Sequence, residues 1–293
     1  MTQIDSATRL CCLIGYPVGH SVSPQMHNAT FTHLNLNFCY TAFQVKSADL
    51  PSAIQGARAF NVRGLNVTIP HKVAVIPLLD EIDLIAKRIN AVNTILNMDG
   101  KLKGYNTDGI GALKAIGEES IKGKAVVLLG AGGASKAIAA TLQGVCRQII
   151  ILNRSTQKAV SLAKELEKNS QSTILGLTLS KENIQNALNQ SDVLINTTTV
   201  GMYPNVSETL IDKRYINSGM AIFDIVYNPF ETQLLKDAKS QGAYTIGGLD
   251  MLVYQGAESF KIWTGIDPPV NVMKEAAIKA LKTYEVNKSG SGG

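Results

Sequence analysis

Apolar and polar positions along this 293-residue chain alternate between strand-like runs and helix-like spacing, which predicts a succession of β and α elements. In the first third, Leu10–Gly15 reads as a buried strand. Ser23-Pro24 opens a helix, with the hydroxyl as cap and proline at the first helical position. Asn37–Val45 is a second strand, and Ser47 caps a helix to about Arg58. Gly64–Ile69 is a third strand that Pro70 ends, and helical patterns follow at 71–79 and 81–89. Ala91–Asn97 and Lys101–Tyr105 form a hairpin across Asp99-Gly100. Thr107–Gly117 is a bridging helix. Beyond it, strands at Ala125–Leu129, Gln148–Leu152, Ser172–Leu177, Asp192–Thr198, Met220–Tyr227 and Tyr244–Ile246 alternate with helices at Thr156–Lys168, Ser180–Gln190 and Phe230–Gln241. Helices at about 249–264 and 270–285 close the chain; with the second sheet complete by Ile246, they are expected to pack back on the first. The pattern gives a mixed-sheet α/β domain over 1–106 completed by 248–286, a doubly wound domain over 107–247, and a flexible tail over 287–293.

The second domain carries the sharpest local signal. Between its first two strands stands Gly130-Ala131-Gly132-Gly133-Ala134-Ser135, followed by a helical stretch. A strand, a glycine-rich turn, a helix and a second strand make the βαβ unit of a Rossmann-type dinucleotide site. Gly130 permits the tight turn, Gly132 lets backbone approach a pyrophosphate, and the helix N-terminus aims free N–H groups at it. The second strand ends in Asn153-Arg154-Ser155, with no carboxylate before Glu165. An acidic residue there would hold the ribose 2′-hydroxyl of NAD; a guanidinium instead suits a 2′-phosphate, so the expected cofactor is NADP.

Composition narrows the class without naming it. The net charge of +5 is mild and its lysines and arginines are scattered, so no nucleic-acid partner is expected. No apolar run reaches 18 residues and the start lacks a charged segment leading into an apolar one; a cytoplasmic protein with no membrane partner is expected. Cys11, Cys12, Cys39 and Cys146 show no Cys-x-x-Cys spacing and read as reduced core thiols. His20, His27, His33 and His71 lack ligand spacing, and no metal is expected.

The first domain holds the candidate chemistry, and each residue there also has a plain structural reading. Ser21-Val22-Ser23-Pro24 sets two hydroxyls beside a helix N-terminus, a seat for a carboxylate or simply a cap. Asn66-Val67-Thr68-Ile69-Pro70-His71-Lys72 ends the third strand, where open α/β sheets bind ligands. Lys72 there could exchange the proton that accompanies hydride transfer, or be a surface lysine. Asn93 stands in an apolar strand and either meets a ligand or closes a loop; Asp108 opens the bridging helix and either reacts or caps it.

Read together, these stretches resemble shikimate dehydrogenase. The resemblance rests on Ser-x-Ser-Pro, Asn-Val-Thr-x-Pro-x-Lys, Ala-Val-Asn-Thr, Asn-Thr-Asp-Gly, Gly-Ala-Gly-Gly-Ala and Asn-Arg-Ser, with Asp224–Pro229 and Gly248–Gln255, in order from about residue 9 to 285. It implies reversible, NADPH-dependent reduction of 3-dehydroshikimate to shikimate on the way to aromatic amino acids. It further implies that Ser21 and Ser23 hold the substrate carboxylate with Tyr227 nearby, and that Thr68, Asn93, Asp108 and Gln255 hold the ring hydroxyls. Lys72 and Asp108 would flank the reacting oxygen as the catalytic pair. Gly130, Gly132, Gly133 and Ala134 would meet the pyrophosphate, Asn153, Arg154 and Ser155 the adenosine phosphate, and Thr197, Val200, Met202 and Gly248 the nicotinamide. A monomer or homodimer acting on a small molecule is implied. Two rivals stay open: a quinate/shikimate dehydrogenase of broader cofactor use, and a catalytically silent NADP-binding regulator on the same scaffold.

Overall fold

Seven residues, Arg9–Gly15, form strand β1, whose last five are buried and which lies one strand in from the edge of a first sheet. A computed structural model describes residues 4–167 and 170–289. The chain divides into two units, residues 1–107 with 255–293, and residues 108–254.

In the first unit β1 is followed by α1 (Ser23–His33), β2 (Phe38–Gln44), α2 (Leu50–Ala59), β3 (Gly64–Val67), β4 (Glu81–Ile82), α3 (Leu84–Ile89), β5 (Thr94–Met98) and β6 (Lys101–Tyr105). The strand order is β2-β1-β3-β5-β6-β4. β5 runs antiparallel to both neighbours, so the sheet is mixed. Residues alternate faces along each strand, and Cys12, Ile14, Leu65, Val67, Ile95 and Leu102 share one core with Leu50 and Ile54 of α2.

In the second unit come α4 (Asp108–Ile116), α5 (Glu118–Ile121), β7 (Ala125–Leu129), α6 (Gly133–Leu142), β8 (Gln148–Asn153), α7 (Thr156–Glu167), β9 (Thr173–Thr178), α8 (Lys181–Leu188), β10 (Val193–Asn196), β11 (Ala221–Asp224), α9 (Gln233–Ser240) and β12 (Tyr244–Gly247). The order β12-β11-β10-β7-β8-β9 is wholly parallel, the doubly wound arrangement expected of the glycine-rich turn. Every residue of β7 is buried: Val126 and Leu128 join one core, Val127 and Leu129 the other. The chain closes with α10 (Gly248–Thr264) and α11 (Val270–Ser289); of the tail expected over 287–293, residues 287–289 continue α11 and 290–293 lie outside the described residues.

Trp263 anchors the first-unit half of α10. Its indole is fully buried and donates from Nε1 to the Ile95 carbonyl at 3.0 Å. A Cβ on Gly64 would lie 2.3 Å from the ring, so only glycine lets β3 accept it. Removing such a side chain costs about 3–5 kcal/mol.

Three readings are corrected by the fold. Residues 71–79 form no helix but turns and a single 3₁₀ turn at Ile76–Leu78, because Pro77 interrupts the apolar spacing. Residues 81–89 begin as strand β4 beside β6 and become helical only at Leu84, where Asp83 accepts from the Ile85 N–H at 2.9 Å. Ser23 does not cap α1: it is the first helical residue, and Ser21 Oγ accepts from its N–H at 3.3 Å. Among the described residues no helix is long and apolar enough to cross a membrane.

His27 on α1 is wholly buried against Tyr40, 4.5 Å away and stacked, and Trp263, 5.3 Å away. Neither ring nitrogen meets a partner among the described residues, and burial pulls its pKa from 6.5 down to about 3. An unfolded chain takes up this proton below pH 6.5 and the folded one does not, so the histidine's contribution to stability falls as pH drops from 6.5 toward 3. Asp224, pushed up from 3.8 to about 6 chiefly by burial, has the opposite sign between those values. His27→Phe is therefore expected to gain about 3 kcal/mol relative to the parent between pH 7 and 4.5. Urea unfolding followed by the single tryptophan checks this. A difference that does not change with pH would contradict it.

Candidate active site

The parallel sheet places the turn after β7 beside the end of β8. Gly130 has φ +106°, and a Cβ there would lie 2.8 Å from Thr197 Oγ1, so the turn admits glycine alone. Gly132 precedes α6 with extended backbone, and Gly133 is its first residue; a Cβ on either would point into open space. Ser135, at the position where close packing is needed, is fully buried and donates from Oγ to the Gly130 carbonyl at 2.8 Å. Ala134 lies in the same first turn of α6.

A hollow of about 310 Å³ opens here, lined by Ala131, Gly132, Asn153, Arg154, Ser155 and Lys158. Asn153 Nδ2 donates to the Ser155 carbonyl at 3.0 Å, folding the strand end back on itself. The lining holds two cations and no carboxylate. A pyrophosphate at the helix N-terminus and a 2′-phosphate between Arg154 and Lys158 match this donor set, so the residues present fit NADP. Lys158, in the sequence only a second choice after Arg154 as reader of the phosphate, joins this lining from the first turn of α7.

Thr197 follows β10 and is fixed to the β7 end: its N–H and Oγ1 donate to the Leu129 carbonyl at 3.0 and 2.6 Å. In the turn after it, the Val200 N–H donates to Thr198 Oγ1 at 3.2 Å, and Met202 is 42% exposed. Gly248 opens α10 hard against the Ile225 backbone. Buried Asp224 ties this end together, accepting from Asn196 Nδ2 at 3.0 Å, the Val226 N–H at 3.0 Å and Thr232 Oγ1 at 2.7 Å. The segment so fixed carries Tyr227, which is half-buried. Asp108, the first residue of α4, is also in this unit and is buried.

In the first unit, Ser21 Oγ donates to Ser23 Oγ at 3.1 Å beside the start of α1. Tyr40, on β2, donates to Asn66 Oδ1 at 2.7 Å. Thr68 lies just past β3, at the head of a turn closed by the His71 N–H on its carbonyl at 2.9 Å. His71 is fully buried and its Nε2 lies 2.7 Å from the Val45 carbonyl, which fixes the base of the turn that carries Lys72. Asn93 lies in a bend ahead of β5 rather than within it. Its Nδ2 lies 3.4 Å from Gln255 Oε1, joining residues 162 apart in sequence. The structure thus brings together Ser21 with Ser23 and Asn93 with Gln255, while Tyr40, Asn66, Thr94, Thr107 and Ser259 join them without having been singled out. Among the described residues no group of His, Cys, Asp and Glu could hold a metal ion.

Three family models match the chain in succession: the shikimate dehydrogenase substrate binding domain over residues 13–95, shikimate/quinate 5-dehydrogenase over 112–241, and the shikimate 5′-dehydrogenase C-terminal domain over 248–278. The chain is 47% identical to shikimate dehydrogenase (NADP+) of Bacillus cereus over 273 residues, 92% of this chain and 97% of that one. It is 47% identical to the protein of that name from Methanocaldococcus jannaschii over 282 residues, 95% and 99% of the two chains. A crystal structure of shikimate dehydrogenase in complex with NADP+ is similar with a TM-score of 0.89 and 45% identity, covering 96% and 98%.

The two glycines of the cradle are expected to respond oppositely to one added methyl. Gly130→Ala, forced to positive φ and against Thr197, should lose about 1–3 kcal/mol and lower the Tm. Gly133→Ala, at a helix start with open space around it, should be neutral or stabilised by up to about 1 kcal/mol. Thermal unfolding of both variants checks the geometry, and equal losses would contradict it.

Proposed function

The chain belongs to the shikimate dehydrogenase family, and we propose that it catalyses the reversible NADPH-dependent reduction of 3-dehydroshikimate to shikimate in the cytoplasm, as a step toward aromatic amino acids. The observation that carries this reading is the hollow where the glycine turn meets Arg154 and Lys158 without a carboxylate. It is a seat for a cofactor with one phosphate more than NAD.

When bound, NADPH supplies the hydride. Gly132, Gly133 and Ala134 hold its pyrophosphate through backbone N–H groups at the start of α6, with Gly130 shaping the turn. Asn153, Arg154, Ser155 and Lys158 hold the 2′-phosphate, and Thr197, Val200, Met202 and Gly248 border the nicotinamide. Ser21 and Ser23 hold the substrate carboxylate with the positive end of α1, and Tyr227 assists. Thr68, Asn93 and Gln255 hold ring hydroxyls.

Negative charge grows on the keto oxygen as its carbon is reduced. Lys72 offers an N–H and a positive charge to that oxygen and passes it a proton, which completes the alcohol. Asp108 accepts from the neighbouring hydroxyl and orients it.

Shikimate is favoured over quinate for a physical reason. Quinate carries one more hydroxyl on a puckered ring, and a buried hydroxyl left without a partner costs about 1–3 kcal/mol.

Two variants test the assignment. Arg154→Ala should raise the KM for NADP about tenfold to a hundredfold and leave NAD kinetics almost unchanged. Lys72→Ala should lower kcat on the order of a hundredfold with a smaller change in shikimate KM. Initial rates at the nicotinamide absorbance read both. Equal weakening of NADP and NAD would remove Arg154 as the phosphate reader, and near-normal kcat would remove Lys72 from the chemistry.

A further inference from the structure

Six polar side chains of the first unit, Tyr40, Asn66, Asn93, Thr94, Thr107 and Ser259, are buried. They are joined to one another by hydrogen bonds. Ser259, on α10 one turn past Gln255, is the atom-for-atom junction. Its Oγ lies 3.0 Å from Asn66 Nδ2, 2.7 Å from Thr94 Oγ1 and 3.3 Å from Thr107 Oγ1, and it donates to the Gln255 carbonyl at 3.0 Å. One hydroxyl thereby links β3, β5, the end of the first unit's main segment and α10.

The donors around it set the polarity of Asn93. The Thr107 N–H donates to Asn93 Oδ1 at 2.8 Å, which commits the carbonyl end of that amide. Its Nδ2 then donates to Thr107 Oγ1 at 3.0 Å and faces Gln255 Oε1. Thr107 Oγ1, receiving from Asn93, has its own proton to place, and Ser259 Oγ is within reach. Asn66, another donor to Ser259, receives from Tyr40. The path is continuous from Tyr40 to the Asn93–Gln255 pair. Removing the Ser259 hydroxyl would take an acceptor from Asn66 Nδ2 and a neighbour from Thr94 and Thr107, leaving their remaining bonds to Asn93 less constrained in a buried place, where satisfied networks hold a single geometry.

We propose that Ser259 is a positioning residue for the substrate seat, holding Asn93 and the Gln255 turn of α10 in one orientation through the Thr94, Thr107 and Asn66 hydrogen bonds. Ser259 touches no substrate in this scheme; it acts through Asn93. The proposal rests on the shikimate reading above.

The test is a double-mutant cycle of Ser259→Ala and Asn93→Ala, read in shikimate and NADP kinetics. Ser259→Ala should raise shikimate KM about tenfold, leave NADP KM within about twofold and kcat within about threefold. In the Asn93→Ala background the same change should move shikimate KM by less than about twofold, because the group it positions is gone. An unchanged KM, or the same increase in both backgrounds, would overturn the proposal. In the ligand-free protein, Ser259→Ala should also shift the side-chain amide NMR resonances of Asn93 and Gln255. That readout does not depend on the substrate's identity, and unmoved resonances would overturn the proposal on their own. A parent enzyme inactive on shikimate with shifted resonances would instead sink the shikimate reading and leave the positioning role standing.

Discussion

The substrate half of this protein depends on one packing contact, the burial of Trp263 against Gly64. β3 and the first-unit half of α10 come from opposite ends of the chain, and the indole holds them together, with its N–H on the Ile95 carbonyl. Ser259 and Gln255 lie one and two turns back along the same helix. With the indole seated, their polar groups fall within hydrogen-bond reach of Asn66 and Asn93. A side chain with no chemistry of its own thus fixes where the chemistry-bearing ones stand. The same cluster encloses His27, stacked on Tyr40 and beside the indole.

The second unit works by a different constraint, the period of a parallel sheet. Strands β7, β8 and β10 end side by side, and their following turns supply the glycines, the cations and Thr197. Backbone does most of the holding there: N–H groups at α6, a positive-φ turn at Gly130, and carbonyls already tied by Ser135 and Thr197. In the proposed reading, binding and selection are separable, one carried by the turn and the other by Arg154 and Lys158 at the end of β8.

Much of this was legible in the sequence. The runs at Ala125–Leu129 and Gln148–Leu152 are β7 and, but for its last residue, β8, and the doubly wound order follows from the glycine turn between them. Elements with mixed signals were misread. Residues 71–79 carry apolar spacing that mimics a helix, but Pro77 interrupts it. Ser23 has the sequence of a cap, a serine before proline, but it is the first helical residue after Val22, with its N–H and its Oγ both meeting Ser21 Oγ. The network around Ser259 was invisible for another reason. A serine four residues past Gln255 reads as an ordinary helix position, and its meaning comes from Asn66, 193 residues away. Lys158 lies between these cases: a second-choice phosphate reader in the sequence, it lines the same hollow as Arg154.

On the proposed reading, one chain carries both an NADP-selective cradle and a seat shaped for shikimate. The most direct measurement is a four-way comparison of kcat/KM for shikimate and quinate, each with NADP and with NAD. Shikimate with NADP is expected to exceed every other pairing by about tenfold or more, consistent with one charge-assisted phosphate contact and one unpartnered hydroxyl. Comparable values for the two acids, or for the two cofactors, would contradict it.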